Sequence, residues 1–306
     1  MTNKSVLEKI KKLKKEGRVY AGTYDSTFKS IIQDEDIKDF TAYIISNCNG
    51  RNLETDDMVF VNTEGTKKTI ADKINVSDIL IDFMKNRIGL EMNKTGDKII
   101  RKRNLSHFYE GAGKVINVSY QVGKELFYEQ INFDDFDNGD ELVSVYKRMN
   151  VKTGRIDPDE QNIIKYRINL ALVFKKYYTY NEELTRFEKA LAILSFDKIE
   201  DLRKIAKGDE MLMRVVKKIE ELSENPDLVR YIDDEKAMEF GHKLDIEDAV
   251  EKATEEVTEK VTKQVTKQVT KEISLSNARK MLEDKLDLEL ISKYTGLSKE
   301  EIEKLK

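Results

Sequence analysis

The 306-residue sequence has few of the residues that break or cross-link a chain. It contains two prolines, fourteen glycines and a single cysteine, Cys48. A lone cysteine excludes an intramolecular disulfide, and the scarcity of proline together with abundant Lys and Glu favours long helices. No apolar run approaches the ~18 residues that a membrane span needs, and the N-terminal segment lacks the apolar core of a signal peptide. We therefore expect a cytoplasmic protein that makes no membrane contact.

Charged residues are abundant in this chain but nearly cancel. They make up 37% of it, whereas the formal net charge is -4. No global field draws the chain to nucleic acid, so any contact with DNA must come from a local patch. The length allows one sizeable domain with appendages, or two modest domains.

The spacing of apolar residues changes along the chain. Helical spacing among lysines predicts an amphipathic helix in residues 1–17. From Ile74 the period falls to about 2, which predicts two strands joined near Lys85 and Asn86. Helical spacing then returns, further strands follow, and helices predominate after Asn181. The predicted fold class is mixed α/β.

A four-residue repeat extends from Ala249 to Ile273, with VTKQVTKQVTK at its centre. Because four residues exceed one helical turn by about 40°, the apolar row winds around the helix and cannot form a straight two-helix seam. Two interpretations stay open. The segment is either a helical, partly frayed tether, or a helix through which the chain forms a homo-oligomer.

Polar side chains interrupt the predicted hairpin DILIDFMKNRIGLEMNK. With Lys85–Asn86 as the loop, Asp78 lies opposite Asn93. The same register places Leu80 opposite Glu91 and puts all four side chains on one face of the hairpin.

Asp78 and Glu91 are then near enough to share one metal ion. Mg²⁺ prefers oxygen ligands, takes one or two carboxylates and keeps positions open for water and phosphate. Such an ion would serve phosphodiester hydrolysis. Surface strands also carry acids freely, so an exposed hairpin without an ion stays an alternative.

Several motifs extend this pattern along almost the whole chain. In chain order they are DSTFK (Asp25–Lys29), Lys73 ahead of Asp78, Glu91-Met92-Asn93, an Arg/Tyr-rich helix (Arg103–Tyr120), GKELFYEQINF and the tail NARKMLEDKLDLELISKYTGLSKEEIEKL. In this order they resemble the recombination-promoting nuclease and transposase family of the PD-(D/E)xK superfamily.

The resemblance implies a PD-(D/E)xK-type nuclease core of a sheet flanked by helices, and DNA cleavage that depends on Mg²⁺ or Mn²⁺. It also implies a link to recombination or transposition, with Asp78 and Glu91 as metal ligands. Asn93 departs from the superfamily's Lys and the family's commoner Gln. An amide can orient water or a phosphate oxygen but supplies no positive charge. Lys94 is a poor substitute because it faces the other side of the strand.

Other residues are candidates for auxiliary roles. Lys73 or Lys98 could reach the site from elsewhere and supply the missing charge. Asp25, in one motif with Lys29, could extend the acidic site, or could cap a helix that begins at Ser26.

A basic segment, KIIRKR, follows the hairpin where a substrate backbone would pass. Its side chains are suited to phosphate contacts, although a solvated helix start explains them equally well. The candidate DNA-binding residues are Lys98, Arg101, Lys102 and Arg103. The only histidines, His107 and His242, lack metal-ligand spacing, which predicts structural or surface roles.

The tail predicts a helix-turn-helix. Gly296 ends one helix, and Ser298 with Glu301 forms a capping box for the next. That last helix offers glutamates to a polyanion, which argues against tight base reading. Direct DNA binding and docking onto protein both stay open.

These patterns divide the chain into five predicted segments. They are an N-terminal helix (1–17), a PD-(D/E)xK-like core (18–180), a helical subdomain (181–245), a repeat linker (246–273) and a helix-turn-helix-like tail (274–306). Our first hypothesis is a DNA endonuclease in which Asn93 positions the attacking water. The second is a non-catalytic DNA-binding or regulatory relic of the same fold, and the third is an oligomeric scaffold.

Overall fold

The computed structural model of the chain describes residues 3–61, 79–123 and 125–305. It divides into two units, Met1–Glu235 and Lys236–Lys306. The strands of the first unit are β1 (Met58–Val61), β2 (Ile79–Phe83), β3 (Asn86–Asn93), β4 (Phe127–Asp134), β5 (Val143–Tyr146) and β6 (Ile163–Asn169). They form one sheet with the order β1-β2-β3-β4-β6-β5.

Helices precede, connect and follow these strands. They are α1 (Asn3–Glu16), α2 (Asp25–Ile32), α3 (Lys38–Asn49), α4 (Lys98–Val122), α5 (Leu170–Phe174), α6 (Arg186–Ser195), α7 (Ile199–Ala206), α8 (Glu210–Glu224), α9 (Pro226–Glu283), α10 (Leu288–Thr295) and α11 (Lys299–Glu303). Within the part of the chain that the structure describes, none of them combines the length and apolar character of a membrane span.

The sheet is mixed, which confirms the predicted α/β class. Strands β1, β2 and β3 form an antiparallel meander. Strand β4 runs parallel to β3, and β6 runs parallel to β4, while β5 pairs antiparallel with β6 at the edge. The long helix α4 makes the crossover that a parallel β3–β4 pair requires.

The two faces of the sheet differ in polarity. Ile88, Leu90 and Met92 of β3 share one face with Ile131 and Phe133 of β4, and all five are buried. Helices α2, α3, α6 and α8 pack their apolar residues into the same core. The opposite face carries most of the polar residues of these strands and lies under α4, which contacts β3 and β4.

The turn of the β2–β3 hairpin lies one residue earlier than the sequence predicts. The prediction of Lys85–Asn86 as the loop is wrong, since Phe83 pairs with Asn86 and the turn is Met84–Lys85. Met84 has φ 49°, a left-handed conformation that hairpin turns usually assign to Gly or Asn. The sequence therefore carries no signal for this turn.

The earlier turn shifts the strand register by two residues. Leu80 pairs with Gly89 and not with Glu91. A shift of two preserves parity, so Leu80 and Glu91 still share one face. Asp82 now lies opposite Arg87, which donates hydrogen bonds of 2.7 and 2.8 Å to its two carboxylate oxygens. This bidentate pair favours the observed register.

Two glycines of α4 have contrasting surroundings. A Cβ atom at Gly111 would lie 2.2 Å from the hydroxyl oxygen and 2.3 Å from Cζ of Tyr128, whose ring is fully buried. A Cβ atom at Gly113 would meet nothing within 4 Å. Gly111 thus permits the close approach of α4 to the sheet.

Alanine substitutions at these glycines should change stability in opposite directions. Gly111→Ala should cost about 1–3 kcal/mol, because the buried Tyr128 ring must shift. Gly113→Ala should gain up to about 1 kcal/mol from helix propensity. Thermal unfolding followed by circular dichroism measures both, and equal shifts would contradict this account of the α4–sheet contact.

Helix α9 begins at Pro226, as the sequence predicts. It continues without a break to Glu283, through residues 245 and 273, where the sequence predicts segment boundaries. The four-residue repeat is therefore part of one 58-residue helix.

The tail has the predicted helix-turn-helix signals. Gly296 ends α10 with φ 72°, and both hydrogen bonds of the capping box between Ser298 and Glu301 are present at the start of α11. Apolar residues from the end of α9 and from the tail pack together; the fully or nearly buried ones are Ala278, Ile291, Leu297 and Ile302.

Candidate active site

Polar side chains occupy the sheet face under α4 where β3, β4 and β6 end. Parallel strands end at one edge of a sheet, so residues at paired positions lie side by side. Two such rows are Glu91–Asn132–Arg167 and Asn93–Asp134–Asn169. All of these residues except Arg167 are buried. Burying this many polar groups costs stability unless they are hydrogen-bonded, which marks this edge as the candidate site.

Glu91 is fully buried and contacts His107 from α4. His107 Nδ1 lies 3.0 Å from Glu91 Oε1, and it donates that hydrogen bond when the carboxylate is ionised. The second oxygen, Oε2, has no hydrogen-bond partner among the residues that the structure describes. A buried carboxylate oxygen without a partner is costly, and a bound cation would offset that cost.

Asn93 belongs to a hydrogen-bonded network at the same edge. Its amide nitrogen donates to Asp134 Oδ1 at 2.9 Å, and its amide oxygen accepts from Asn104 of α4. The other oxygen of Asp134 accepts from Arg167 Nε at 2.7 Å and from the Asn138 amide. Both ends of the Asn93 amide are thus engaged within the protein.

Asp25 and Lys29 pair with each other in the first turns of α2. Asp25 Oδ2 accepts a hydrogen bond of 2.7 Å from Lys29 Nζ. The alternative that Asp25 caps a helix beginning at Ser26 is wrong, because α2 begins at Asp25 itself and Tyr24 is the N-cap residue.

Lys94 lies away from Glu91 and Asn93, as strand alternation predicts. Its Nζ is 3.8 Å from the ring centroid of Tyr24. Asp135 is near, and burial raises the pKa of its carboxyl to about 6, although Lys94 and a hydrogen bond from Thr23 oppose the shift. Lys94 is therefore not the source of positive charge for the polar edge.

The predicted DNA-binding residues lie in the first turns of α4. Lys98, Arg101 and Lys102 are exposed, and Arg103 is half-buried. Arg101 also lines a cavity of about 220 Å³ between α4 and the polar edge of the sheet. The first turns of α4 therefore hold cations beside the rows that contain Glu91 and Asn93.

A metal ion fits part of the predicted ligand set. Glu91 supplies a buried carboxylate oxygen that such an ion would take, since Oε2 has no partner in the part of the chain that the structure describes. The predicted second ligand, Asp78, and the auxiliary candidate Lys73 lie outside the described residues. Within the ranges 3–61, 79–123 and 125–305, no three His, Cys, Asp or Glu residues are grouped as metal ligands.

Sequence reasoning missed several residues of this edge. His107, predicted to be structural or on the surface, is buried against Glu91. Asp134 and Arg167 were not singled out, although polar residues alternate along QINFD and along KYRIN. Polar residues at every second position of otherwise apolar strands are the signal that could have found them.

Comparison with known proteins identifies the tail. Residues 271–306 match the family model described as the C-terminal HTH domain of the Rpn/YhgA-like nuclease family. No curated protein and no solved structure matches the chain. The match confirms the resemblance to the recombination-promoting nuclease family in the tail, residues 271–306.

Proposed function

We propose that this protein is a DNA endonuclease that depends on Mg²⁺ or Mn²⁺ and has a PD-(D/E)xK-type core. The observation that carries the proposal is Oε2 of buried Glu91, which has no hydrogen-bond partner among the described residues and which a cation would satisfy. Three further features support it: the antiparallel meander β1–β3, the crossover through α4 to a parallel β4, and the nuclease-family tail. A role in recombination or transposition follows from the family resemblance alone.

The chain's own residues would divide the work at this edge. Glu91 and Asp78 would hold the ion, which when bound polarises the phosphodiester and lowers the pKa of a water. His107 fixes the orientation of the Glu91 carboxylate through its 3.0 Å contact. Asn93 would position the attacking water once its hydrogen bond from Asn104 or to Asp134 opens.

DNA would lie across the start of α4. Lys98, Arg101 and Lys102 are exposed there and would contact backbone phosphates. The helix-turn-helix tail offers a second DNA contact. Its last helix is acidic at Glu300 and Glu303, so we expect it to add affinity through other parts of the tail or to dock onto protein.

Nicking of supercoiled plasmid in Mg²⁺ or Mn²⁺ tests the proposal. The parent chain is compared with Asp78→Ala and Glu91→Ala variants, and we expect nicking by the parent alone. Equal nicking by all three would point to a contaminating nuclease. Failure of all three would favour the second candidate, a DNA-binding or regulatory protein without turnover.

That second candidate has one observation in its favour. Asn93 occupies the position of the usual Lys or Gln, and both ends of its amide are bonded to protein groups. An amide held in this way supplies no charge, and only one N–H and one oxygen lone pair of it stay available to a substrate. DNA binding without cleavage in any divalent ion would support this candidate.

A third proposal concerns self-association through α9, with a second copy of this chain as the partner. The repeat leaves an apolar row between 45% and 59% exposed: Val257, Val261, Val265, Val269 and Ile273. Exposed apolar rows of this kind usually mark interaction surfaces.

Light scattering of the full chain measures this association. We expect the parent to exceed the 35.6 kDa of one chain. A Val261→Glu/Val265→Glu variant should fall to one chain, because charge in the row opposes burial. Gln264→Glu adds charge on the same helix outside the row and should keep the parent mass. A parent mass of one chain would reject the proposal.

A further inference from the structure

The cavity between α4 and β6 has an uneven charge. Three cations line it, Arg101 from α4 and both Lys165 and Arg167 from β6, against one carboxylate, Asp134. The amide of Asn93 forms another part of its lining. The cavity therefore opens beside Asn93, which lies two positions after Glu91 on the same face of β3.

The carboxylate of Asp134 already has hydrogen-bond partners within the protein. Asp134 accepts hydrogen bonds from Arg167 Nε, from the Asn93 amide and from the Asn138 amide. Neither Arg101 nor Lys165 forms an ion pair with a residue in the described ranges. Two positive charges thus face the cavity without a matching negative charge among the described residues.

Lys165 is partly buried and close to Arg167, so the excess of positive charge in the cavity is unfavourable. Burial lowers the pKa of its ammonium group, and Arg167 lowers it further, while Asp134 opposes the shift. Its Nζ also lies 5.7 Å from the ring centroid of Phe108 and 5.5 Å from that of Tyr146. Rings hold the ammonium group in place but do not neutralise it. An anion in the cavity would favour the charged form of Lys165 and oppose this lowering of its pKa.

The remaining lining residues suit an anion that is partly solvated. Amide groups of Asn104 and Asn132 and the hydroxyl of Thr95 provide hydrogen-bonding groups. Ile100 and Phe136 provide apolar walls that strengthen electrostatic attraction inside the cavity. Arg167 is held over the Phe136 ring, 5.9 Å from its centroid, and by Asp134, so its guanidinium group is fixed in advance of binding.

We propose that this cavity binds one phosphate group of a DNA backbone, held by Arg101, Lys165 and Arg167. The inference rests on the proposed function and names its phosphate-binding residues. In this proposal Lys165 and Arg167 of β6 supply positive charge beside Asn93, whose own amide has no charge. The cavity shares Asn93 with the candidate active site, so the bound phosphate would be next to the Glu91 row.

Binding of a short fluorescein-labelled DNA duplex, measured by anisotropy in EDTA, tests this inference without cleavage. Lys165→Met keeps the aliphatic length and removes the charge. Arg101→Gln changes an exposed residue and should not disturb folding. The matched control is Lys217→Met on α8, which packs against α2 and α3 on the opposite side of the sheet.

Each cavity variant should weaken binding about tenfold, the effect of one lost charge-assisted hydrogen bond. The slope of log affinity against log salt should fall by about 1 for each lost phosphate contact. Lys217→Met should match the parent. Inorganic phosphate should also protect Lys165 from acetylation in the parent, as read by mass spectrometry.

The outcomes separate this inference from the proposed endonuclease. Cavity variants that bind as tightly as Lys217→Met would overturn the inference, even if the parent nicks plasmid. Weakened binding by both cavity variants would support it, even if the parent never nicks DNA. A parent chain that binds no duplex would overturn it as well.

Discussion

Glu91→Gln should reduce plasmid nicking by about 10³-fold while the protein stays folded. Glutamine has nearly the same volume and keeps an oxygen to accept the hydrogen bond from His107. It removes the negative charge that would bind the ion at the buried Oε2, which no described residue contacts through a hydrogen bond. An ion worth several kcal/mol of transition-state stabilisation corresponds to a loss of this size.

A graded series of variants distinguishes loss of the ion from loss of fold. His107→Gln should reduce nicking about 10–100-fold, because in the proposed site His107 would act only by orienting Glu91. Asp82→Asn is the control. The Asp82 carboxylate lies on the same face of the hairpin but forms an ion pair with Arg87, so this variant should nick plasmid near the parent rate. Nicking by Glu91→Gln at the parent rate would reject Glu91 as a ligand. Unfolding of Glu91→Gln would show as a lost circular dichroism signal.

Local rules predicted the parts of the fold that depend on neighbouring residues. Strand alternation placed Glu91 and Asn93 on one face and Lys94 on the other. Capping rules located the tail turn at Gly296 and the capping box at Ser298. Each of these results depends on a few consecutive residues.

The site itself depends on contacts between distant segments. His107 reaches Glu91 only because α4 crosses back over the sheet, and Arg167 joins the Glu91 row only because β4 and β6 both run parallel to β3. A single sequence does not state the order of strands in a sheet. The predicted hairpin register is wrong for a different reason. Met84 adopts a left-handed conformation in the turn, and nothing in the sequence indicates that conformation for a methionine.

Arg51→Met should destabilise the first unit strongly, although the Arg51 side chain is partly exposed. On the apolar face of β4, the fully buried Glu129 forms an ion pair with Arg51 at 2.5 Å and accepts a hydrogen bond from Asn49 at 3.0 Å. Removing Arg51 leaves a buried carboxylate without its countercharge. The expected loss is about 3 kcal/mol, the lower end for a broken buried pair, because the Arg51 side chain is 32% exposed.

The two partners of this pair should respond unequally. Glu129→Gln keeps a group that can accept from Asn49, and the partly exposed Arg51 can then turn to water, so this variant should cost much less than Arg51→Met. The double variant Arg51→Met/Glu129→Leu should recover most of the stability, since apolar packing replaces both charges. Urea unfolding followed by circular dichroism measures all three, which suits a chain without tryptophan. Equal losses for both single variants, with no recovery in the double variant, would mean that packing and not charge decides the stability of this contact.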